Sequence, residues 1–286
     1  MLTYEEFKRE VIEKLADHLP QPFSGCRIKE ERIPKVNGIM EGFVLELPGQ
    51  EQTIKALPVL YFEHFYDYIR KGVEPERVLA LLAETIVKSP APEMLAETSG
   101  QPALRKEDVI LQVINRNRNQ EYLKELPHRT FLDLAVIYRL MVITKDRQMY
   151  SSVINETMRR EMKLEEEELF RLARRQMKQR MPYRMFQVCG PLYAYTNDNY
   201  CFGAASILEK AGIRRLADRF REDLYILPAS IHEIMLLPRG AVSHEMARNM
   251  LRKANQEGIE PQEWLSDEVY VYRRAEDRIA FAELQN

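Results

Sequence analysis

The chain has 286 residues, a length that suits one large domain or two domains of ordinary size. Charged residues make up 30% and hydrophobic residues 45% of it, which is typical of a globular protein with its own core and not of a disordered tail. The formal net charge of −2 excludes a global signal for nucleic acid or for an acidic membrane surface, so either partner would have to bind a local patch.

The first 88 residues predict helices that flank a hairpin. Thr3 and Glu6 form a capping-box pattern, which opens a helix whose apolar residues recur until Pro20. The Asn37-Gly38 pair lies between two extended segments and predicts a tight hairpin, because both residues tolerate a positive φ. In chain order, the predicted elements are a helix over 3–19, strands over 27–36 and 39–47, a short strand over 53–57, and helices over 60–71 and 75–87.

A segment rich in proline and glycine follows these elements. Residues 89–106 include three prolines and a glycine, which predicts a surface connection. We therefore expect an N-terminal α+β region over 1–88, a proline-containing connection over 89–106, and a C-terminal α+β region over 107–286. One continuous globular unit is the alternative.

The C-terminal region predicts alternating groups of helices and hairpins. Its predicted elements are a helix over 107–118, an apolar β segment over 134–143, a helical stretch over 149–181 with a break near Lys163, extended segments over 183–188 and 192–195, a helix from about Gly203, a hairpin of 223–227 with 231–237, a final helix that Ser243 caps and that ends before Gly258, and strands over 269–273 and 279–281. Neighbouring hairpins with helices between them indicate an α+β fold, with antiparallel or mixed sheets built from hairpins and helices packed on them.

Several features predict a cytoplasmic protein without a membrane span. Cys26, Cys189 and Cys201 are odd in number and widely spaced, as in proteins that keep reduced thiols. The chain opens with an acidic amphipathic segment and not with a basic, secretory one. Its apolar run over 134–143 is interrupted by Arg139 and is shorter than the roughly 20 residues that cross a bilayer.

The sequence lacks the motifs of the common enzyme classes. His232-Glu233 and His244-Glu245 begin like a zinc-protease helix, but the second histidine, one helical turn later, is missing in both. The glycines form neither a phosphate-binding loop nor a dinucleotide fingerprint, and no serine has the flanking residues of a nucleophile elbow. We therefore expect no metal and no cofactor.

The best candidates for chemistry precede the apolar β segment. His128 can exchange protons near neutral pH, Asp133 can orient it, and Arg129 can hold an anion. The structural alternative, which we favour, is that Arg129 and Asp133 pair across a turn while His128 caps a backbone carbonyl. Arg139 is either a buried counter-charge for Asp133 or a residue that points outward from an edge.

Two further segments are candidates for binding. The turn-forming residues Thr196, Asn197, Asp198 and Asn199 precede a predicted helix and could bind an anion or an amide through free backbone donors, although a plain turn is the more common role. The basic residues between Arg159 and Arg184 could bind nucleic acid. Glutamates at 161 and 165–168 offset them, so a solvated, salt-bridged helix face is the favoured interpretation.

The sequence resembles a bacterial family classed as a domain of unknown function, serial number 5688, which is frequent in gut clostridia. The resemblance covers nearly the whole chain and is carried by TYEEF at 3–7, FVLELPG at 43–49, VINRN at 113–117, PHRTFLDLAVIYRL at 127–140, LPASIHEIMLLP at 227–238 and LSDEVYVY at 265–272. More distantly, YTNDNYCFGAASIL at 195–208 is similar to a stretch of the YtpQ-like family. The resemblance implies a cytoplasmic bacterial protein and implies no catalytic residues.

These observations lead to three hypotheses about function. The first is a non-enzymatic accessory or regulatory protein that acts on a protein partner, since the charge is balanced and aromatic and methionine side chains are plentiful. The second is a motif-poor enzyme or small-ligand binder that uses His128, Arg129 and Asp133. The third is nucleic-acid binding through the Arg159–Arg184 helix.

Overall fold

The computed structural model describes residues 2–21, 23–46, 60–88, 105–143 and 149–282. The chain forms two compact units, one drawn from 1–35 and 39–103 and the other from 36–38 and 104–286. Antiparallel sheets with helices packed on them confirm the α+β prediction. Within the described ranges, no helix is long and apolar enough to cross a membrane.

The first unit packs three helices with a small antiparallel sheet. Its elements are α1 (Tyr4–Lys14), a 3-10 turn (Leu15–His18), β1 (Arg27–Lys35), β2 (Gly38–Glu46), β3 (Leu60–Tyr61), α2 (Phe62–Arg70) and α3 (Pro75–Lys88). The capping box is confirmed, because Glu6 N donates to Thr3 Oγ1 (3.3 Å) and Thr3 N donates to Glu6 Oε2 (2.8 Å). Asn37 adopts the predicted positive φ (64°), whereas Gly38, for which a positive φ was also expected, does not and is already the first residue of β2. The predicted strand at 53–57 and most of the connection at 89–106 lie outside the described residues.

Among the described residues, the core of this unit contains one buried charge. Phe7 and Val11 of α1 pack with Phe43 of β2 and Phe62 of α2. Lys8 is also buried, and its Nζ lies 2.5 Å from Glu30 and 3.1 Å from Glu41. Burial lowers the pKa of Lys8, but the hydrogen bonds to these carboxylates outweigh it and raise the pKa above its usual value. Lys8 is therefore held in its charged form inside the unit.

The second unit begins with a sheet that corrects two predictions. Its strands are β4 (Val109–Asn115), β5 (His128–Phe131), β6 (Leu134–Ile143) and β7 (Met149–Val153), and a short helix α4 (Gln120–Leu123) lies between β4 and β5. Strand β4 pairs with one side of β6, while β5 and β7 pair with the other.

The helix predicted over 107–118 is wrong, because those residues contain β4. Every residue of β4 is buried, so the strand reads as a continuous apolar run without the alternation that marks a half-exposed strand. The start of the helical stretch predicted over 149–181 is also wrong, because Met149–Val153 pairs with β6 along its whole length. Long-range pairing outweighs local helix propensity at both places.

Two helices follow β7, and the second packs on β4 and β6. They are α5 (Glu156–Glu161) and α6 (Glu166–Arg180), and the chain breaks between them at Lys163 (φ 53°), as predicted. Leu169, Ala173 and Met177 form the buried stripe of α6. The predicted pair of Glu167 with Arg171 is present at 3.6 Å.

The second sheet is antiparallel throughout. Its strands are β8 (Tyr183–Cys189), β9 (Leu192–Asn197), β10 (Leu224–Leu227), β11 (Ile234–Pro238), β12 (Tyr270–Arg273) and β13 (Arg278–Phe281), and among the described residues their order is β13-β12-β10-β11-β9-β8. Helices α7 (Lys210–Phe220) and α8 (His244–Glu257) belong to this part of the unit. The predicted hairpins are confirmed, as is the Ser243 cap, whose Oγ accepts from Met246 N at 3.1 Å.

Candidate functional site

The structure places His128, Arg129 and Asp133 around one turn but gives each a different set of contacts. His128 and Arg129 lie on β5, and Asp133 lies in the two-residue turn that joins β5 to β6. The exposed His128 has its Nδ1 2.8 Å from the carbonyl oxygen of Leu126, which is the capping role of the structural alternative.

Arg129 pairs with α6 and not with Asp133. Its Nε and Nη2 donate to the two carboxylate oxygens of Glu166 (2.9 and 2.7 Å), and Nη2 also donates to Glu167 (2.8 Å). The buried Tyr138 hydroxyl donates to the same Glu166, and the guanidinium lies 3.6 Å from the ring centroid of Phe170. Burial raises the pKa of Glu166, but the bonds from Arg129 and Tyr138 lower it by more. This bidentate pair therefore attaches β5 to α6.

Asp133 is buried and accepts hydrogen bonds from two hydroxyls. Ser266 Oγ donates to Oδ2 at 2.7 Å, and Tyr270 Oη donates to Oδ1 at 2.5 Å. Burial, reinforced by the Asp133 charge, raises the pKa of Tyr270 above its usual value, so this hydroxyl remains a donor. Both partners come from the C-terminal part of the unit, and the carboxylate thus joins the two sheets.

Arg139 is buried on β6 and contacts polar groups of its own sheet. Its Nη1 donates to Gln112 Oε1 (3.0 Å), and its Nε donates to Ser151 Oγ (3.0 Å). The guanidinium also lies 4.9 Å from the ring centroid of Phe202. The carboxylate oxygens of Asp133 are bonded elsewhere, so the geometry supports neither of the two roles expected for Arg139.

The segment from Thr196 to Asn199 uses its polar groups to hold its own loop. Thr196 Oγ1 donates to the carbonyl of His232 (2.7 Å), and Asn197 Oδ1 accepts from the N–H groups of Asn199 (3.0 Å) and Cys201 (3.4 Å). Asp198 N donates to the carbonyl oxygen of Pro182, the residue before β8, at 3.1 Å. Because these donors are engaged, the loop offers them to no anion in this conformation.

The same loop contains two residues with a left-handed backbone. Tyr200 (φ 52°) and Phe202 (φ 54°) are bulky residues in a region that L-amino acids avoid, at a cost of about 1–2 kcal/mol each. Gly203 follows, and a Cβ there would lie 2.1 Å from Thr196 Oγ1 and 2.4 Å from the His232 carbonyl oxygen. Phe202 turns toward the core, whereas the Tyr200 side chain is 54% exposed. The strained loop therefore holds an aromatic ring out toward solvent.

That ring lies beside an exposed strand. The rings of Tyr200 and Phe186 of β8 are 6.4 Å apart, and Phe186 and Val188 are 40% and 47% exposed. Arg184 Nε, on the same strand, lies 2.8 Å from Asp198. These residues form a mainly apolar surface along β8.

The outer backbone of β8 is unpaired within the part of the chain that the structure describes. Asp198 N donates to Pro182 O, so these two residues are a hydrogen-bonded pair of the antiparallel ladder. Such pairs recur at every second residue, and the N–H and C=O groups of Arg184 and Phe186 therefore point toward β9. The N–H and C=O groups of the alternate residues then point away from β9. These outward residues are Tyr183, Met185 and Gln187. We call β8 together with Tyr200 the β8 edge.

A basic stripe on α6 precedes the β8 edge in the chain. It consists of Arg171, Arg174, Arg175 and Lys178, which with Gln179 line a shallow groove of about 420 Å³. Arg174 and Lys178 both contact the buried Glu209, at 2.7 and 2.9 Å, and Arg171 contacts Glu167. Two carboxylates thus offset four cations. The exposed Arg175 has no ion pair within the described ranges.

A family model described as "Family of unknown function (DUF5688)" matches residues 4–190 and 184–274. The chain belongs to this family. The searches of curated proteins and of solved structures found no match. The matched ranges include the β8 edge and the basic stripe and most of both units, but not β13.

The described residues of this DUF5688 protein contain no group of three or more histidine, cysteine, aspartate or glutamate side chains that could hold a metal ion.

The sequence predicted β8 as extended but not its position at the edge of a sheet. No pattern in the sequence separates an edge strand from an inner one, so this position could not have been predicted.

Proposed function

We propose that this protein is a non-enzymatic accessory or regulatory factor of the bacterial cytoplasm and that it binds a protein partner through the β8 edge. The observation that carries the proposal is the combination, on one strand, of exposed apolar side chains with backbone groups that no described residue pairs with. Natural proteins usually protect such edges with charges, prolines, bulges or a covering element, because an unprotected edge pairs with other chains. The register of β8 shifts between Gln187 and Cys189, and the regular part of the edge is therefore Tyr183 to Gln187. An exposed edge of this kind supports binding by addition of a strand.

The strained loop supports the same proposal. A left-handed tyrosine costs stability, and its exposed ring contributes little to the core in return. Aromatic side chains are enriched in protein interfaces because they bury a large area with few rotatable bonds. The position of Tyr200 next to Phe186 gives a partner two neighbouring aromatic rings.

The contacts of the other candidates favour structural roles. His128, Arg129 and Asp133 each bond to a different partner, which supports structural roles for these side chains. The basic residues of α6 have carboxylate partners in Glu167 and Glu209, which reduces the positive field that nucleic-acid binding requires.

Photo-crosslinking in cells that produce the full chain tests the proposal. Benzoylphenylalanine at position 186 should give adducts of defined mass with another protein. At position 281 it should give none, because Phe281 has nearly the same exposure (42%) but lies at the opposite edge of the same sheet. Gln187→Pro removes an outward N–H, together with the side-chain bond from Gln187 Nε2 to the Gly190 carbonyl, and it should abolish the adducts. Gln187→Ala loses the same side-chain bond but keeps the N–H, and it should retain them.

Equal adducts from both positions, or adducts at 186 that survive Gln187→Pro, would contradict the proposal. The fold of each variant is checked by thermal unfolding, which should match that of the unmodified chain. Proline is tolerated on edge strands, so a normal melting curve together with lost adducts identifies the backbone of β8 as the contact.

A further inference from the structure

His232 holds the loop that presents Tyr200, and it does so as a neutral side chain. Phe202 N donates to His232 Nδ1 at 3.3 Å, and His232 Nε2 lies 3.2 Å from Glu263 Oε1. Because a backbone N–H can only donate, Nδ1 carries no proton in this arrangement, and the single ring proton lies on Nε2, which donates to the carboxylate. The uncharged imidazole therefore satisfies both contacts.

A second proton on His232 is incompatible with this loop conformation. Both ring nitrogens of an imidazolium are donors, so an Nδ1–H would face the Phe202 N–H with no acceptor between them. The His232 side chain is 29% exposed, so protons can reach it from solvent, and histidine changes charge between about pH 5 and 8. The observed conformation is therefore favoured above this pH range and disfavoured below it.

Charged groups on neighbouring segments act on this equilibrium in opposite directions. Glu263, on the 3-10 turn Pro261–Glu263, attracts the imidazolium charge, but it contacts Nε2 and supplies no acceptor for Phe202 N. Arg139 of β6 opposes the charge, since its guanidinium lies 4.9 Å from the ring centroid of Phe202, and that ring stacks on His232 with 6.0 Å between centroids. The titratable side chains on the two loops themselves are those of Asp198, Tyr200, Cys201 and Glu233.

The part of the loop that precedes Phe202 would move when its bond to His232 is lost. The part that follows is held by backbone groups that do not titrate, because Ala204 N donates to the carbonyl of Ile231 at 3.3 Å. Phe202 and Tyr200 both have a left-handed backbone and are separated by one residue. A return of Phe202 to negative φ would therefore displace Tyr200, whose ring lies beside the exposed Phe186.

We propose that His232 is an acid-sensitive switch of the β8 edge: protonation of its imidazole releases Phe202, and the Tyr200 ring then moves away from Phe186. This inference rests on the proposed function, because Tyr200 belongs to the surface that binds the partner. Binding at the β8 edge is then strongest near neutral pH and weakens as the pH falls.

Hydrogen–deuterium exchange of the purified full chain tests the switch. Exchange of a peptide that covers 199–205 is compared at about pH 7.5 and about pH 5.5, after correction for the intrinsic effect of pH on exchange. We expect protection of this peptide to fall about fivefold at the lower pH, as for the loss of one hydrogen bond. Protection of β6 should not change, which excludes global unfolding. A nuclear Overhauser effect between the rings of Tyr200 and Phe186 should disappear over the same range.

Three variants assign the response to His232. His232→Asn places an uncharged oxygen where Nδ1 lies, since both atoms are bonded to Cγ, and it should keep the loop protected at both pH values. Glu263→Gln keeps an acceptor for Nε2 but removes the negative charge, so the response should move to lower pH by about half a unit. His128→Asn is the control and should respond as the unmodified chain does, because His128 Nδ1 faces the Leu126 carbonyl (2.8 Å), a contact that an imidazolium keeps.

Several results would overturn the inference. They are equal protection of the loop at both pH values in the unmodified chain, an undiminished acid response in His232→Asn, a response that does not move in Glu263→Gln, and a ring contact between Tyr200 and Phe186 that persists at the lower pH.

Failure of the proposed function is read separately, as the absence of crosslinks from position 186 at neutral pH, whatever the loop does. Where those crosslinks form, their yield in a cell lysate should fall about fivefold between about pH 7.5 and about pH 5.5, and His232→Asn should prevent this fall. Equal yields at both pH values in the unmodified chain would contradict the switch and leave the proposed surface intact.

Discussion

Replacing Asp133 with alanine tests whether the charged turn before β6 is architectural. The carboxylate of Asp133 accepts from Ser266 (2.7 Å) and Tyr270 (2.5 Å), and both hydroxyl-bearing residues are almost fully buried. The variant keeps the backbone bond from Arg116 N to Asp133 O (2.8 Å), so the change removes the carboxylate contacts alone.

The expected change in the free energy of unfolding follows from those two contacts. A buried polar group that loses its partner costs about 1–3 kcal/mol, which gives roughly 2–6 kcal/mol for two hydroxyls. Removing a buried carboxylate also removes its desolvation cost, which offsets part of this loss. We therefore expect Asp133→Ala to lower the free energy of unfolding of the second unit by about 2–4 kcal/mol. Asp133→Asn keeps one acceptor oxygen and should cost about half as much.

Urea unfolding followed by Trp264 fluorescence measures this change. Trp264 is the single tryptophan of the chain and lies two residues before Ser266. A double-mutant cycle of Asp133→Ala with Tyr270→Phe should give a coupling free energy of about 1–3 kcal/mol, because the two side chains contact each other directly. His128→Ala is the control and should change stability by less than about 0.5 kcal/mol, since the side chain is exposed.

A neutral or stabilising Asp133→Ala would refute this reasoning. Residues retained for activity often reduce stability, and their removal stabilises the fold. Such a result would return Asp133 to the enzyme hypothesis, above all if His128→Ala and Asp133→Ala were then found to be coupled.

Three more predictions concern the loop, the acid response and the thiols. Gly203→Ala should lower the melting temperature of the chain strongly, because its Cβ would lie 2.1 Å from a neighbouring side-chain oxygen, whereas Gly38→Ala meets nothing within 4 Å and should have a small effect. The lowered pKa of Glu166 stabilises the folded chain fully above the unfolded value of about 4.3, and this contribution is lost as the pH falls through the folded pKa. Urea unfolding of Glu166→Gln from pH 7 downward should therefore show a weaker dependence on pH below about 4.3 than the unmodified chain. Burial raises the pKa of Cys201, so iodoacetamide at neutral pH should modify the exposed Cys189 first, as peptide mass mapping would show.

Each of these has a contrary outcome. Equal melting temperatures for the two glycine variants would mean that the loop relaxes around the added methyl group. If the free energy of unfolding of Glu166→Gln depended on pH as that of the unmodified chain does, the ion pair of Glu166 with Arg129 would contribute nothing to stability. Faster alkylation of Cys201 than of Cys189 would mean that the loop exposes its thiol in solution.

Local signals in the sequence were sufficient for elements whose stabilising contacts are themselves local. The Thr3–Glu6 capping box, the Asn37-Gly38 turn and the Ser243 cap each involve residues within about one helical turn or one hairpin turn. The same is true of the break at Lys163 and of the two hairpins of the second sheet. The α+β class followed from the order of these elements.

Tertiary structure decided the features that depend on residues far apart in the chain. The run 109–115 became the strand β4 because β6 pairs with it along seven residues, and a fully buried strand lacks the alternation by which a sequence reveals it. Arg129 found its carboxylate on α6, and Asp133 found its donors more than 130 residues away. The sequence alone determined that Tyr183–Val188 is extended. Only the arrangement of the sheet decided that one side of this strand has no pairing partner among the described residues, because the edge of a sheet is defined by the strand order and not by the strand itself.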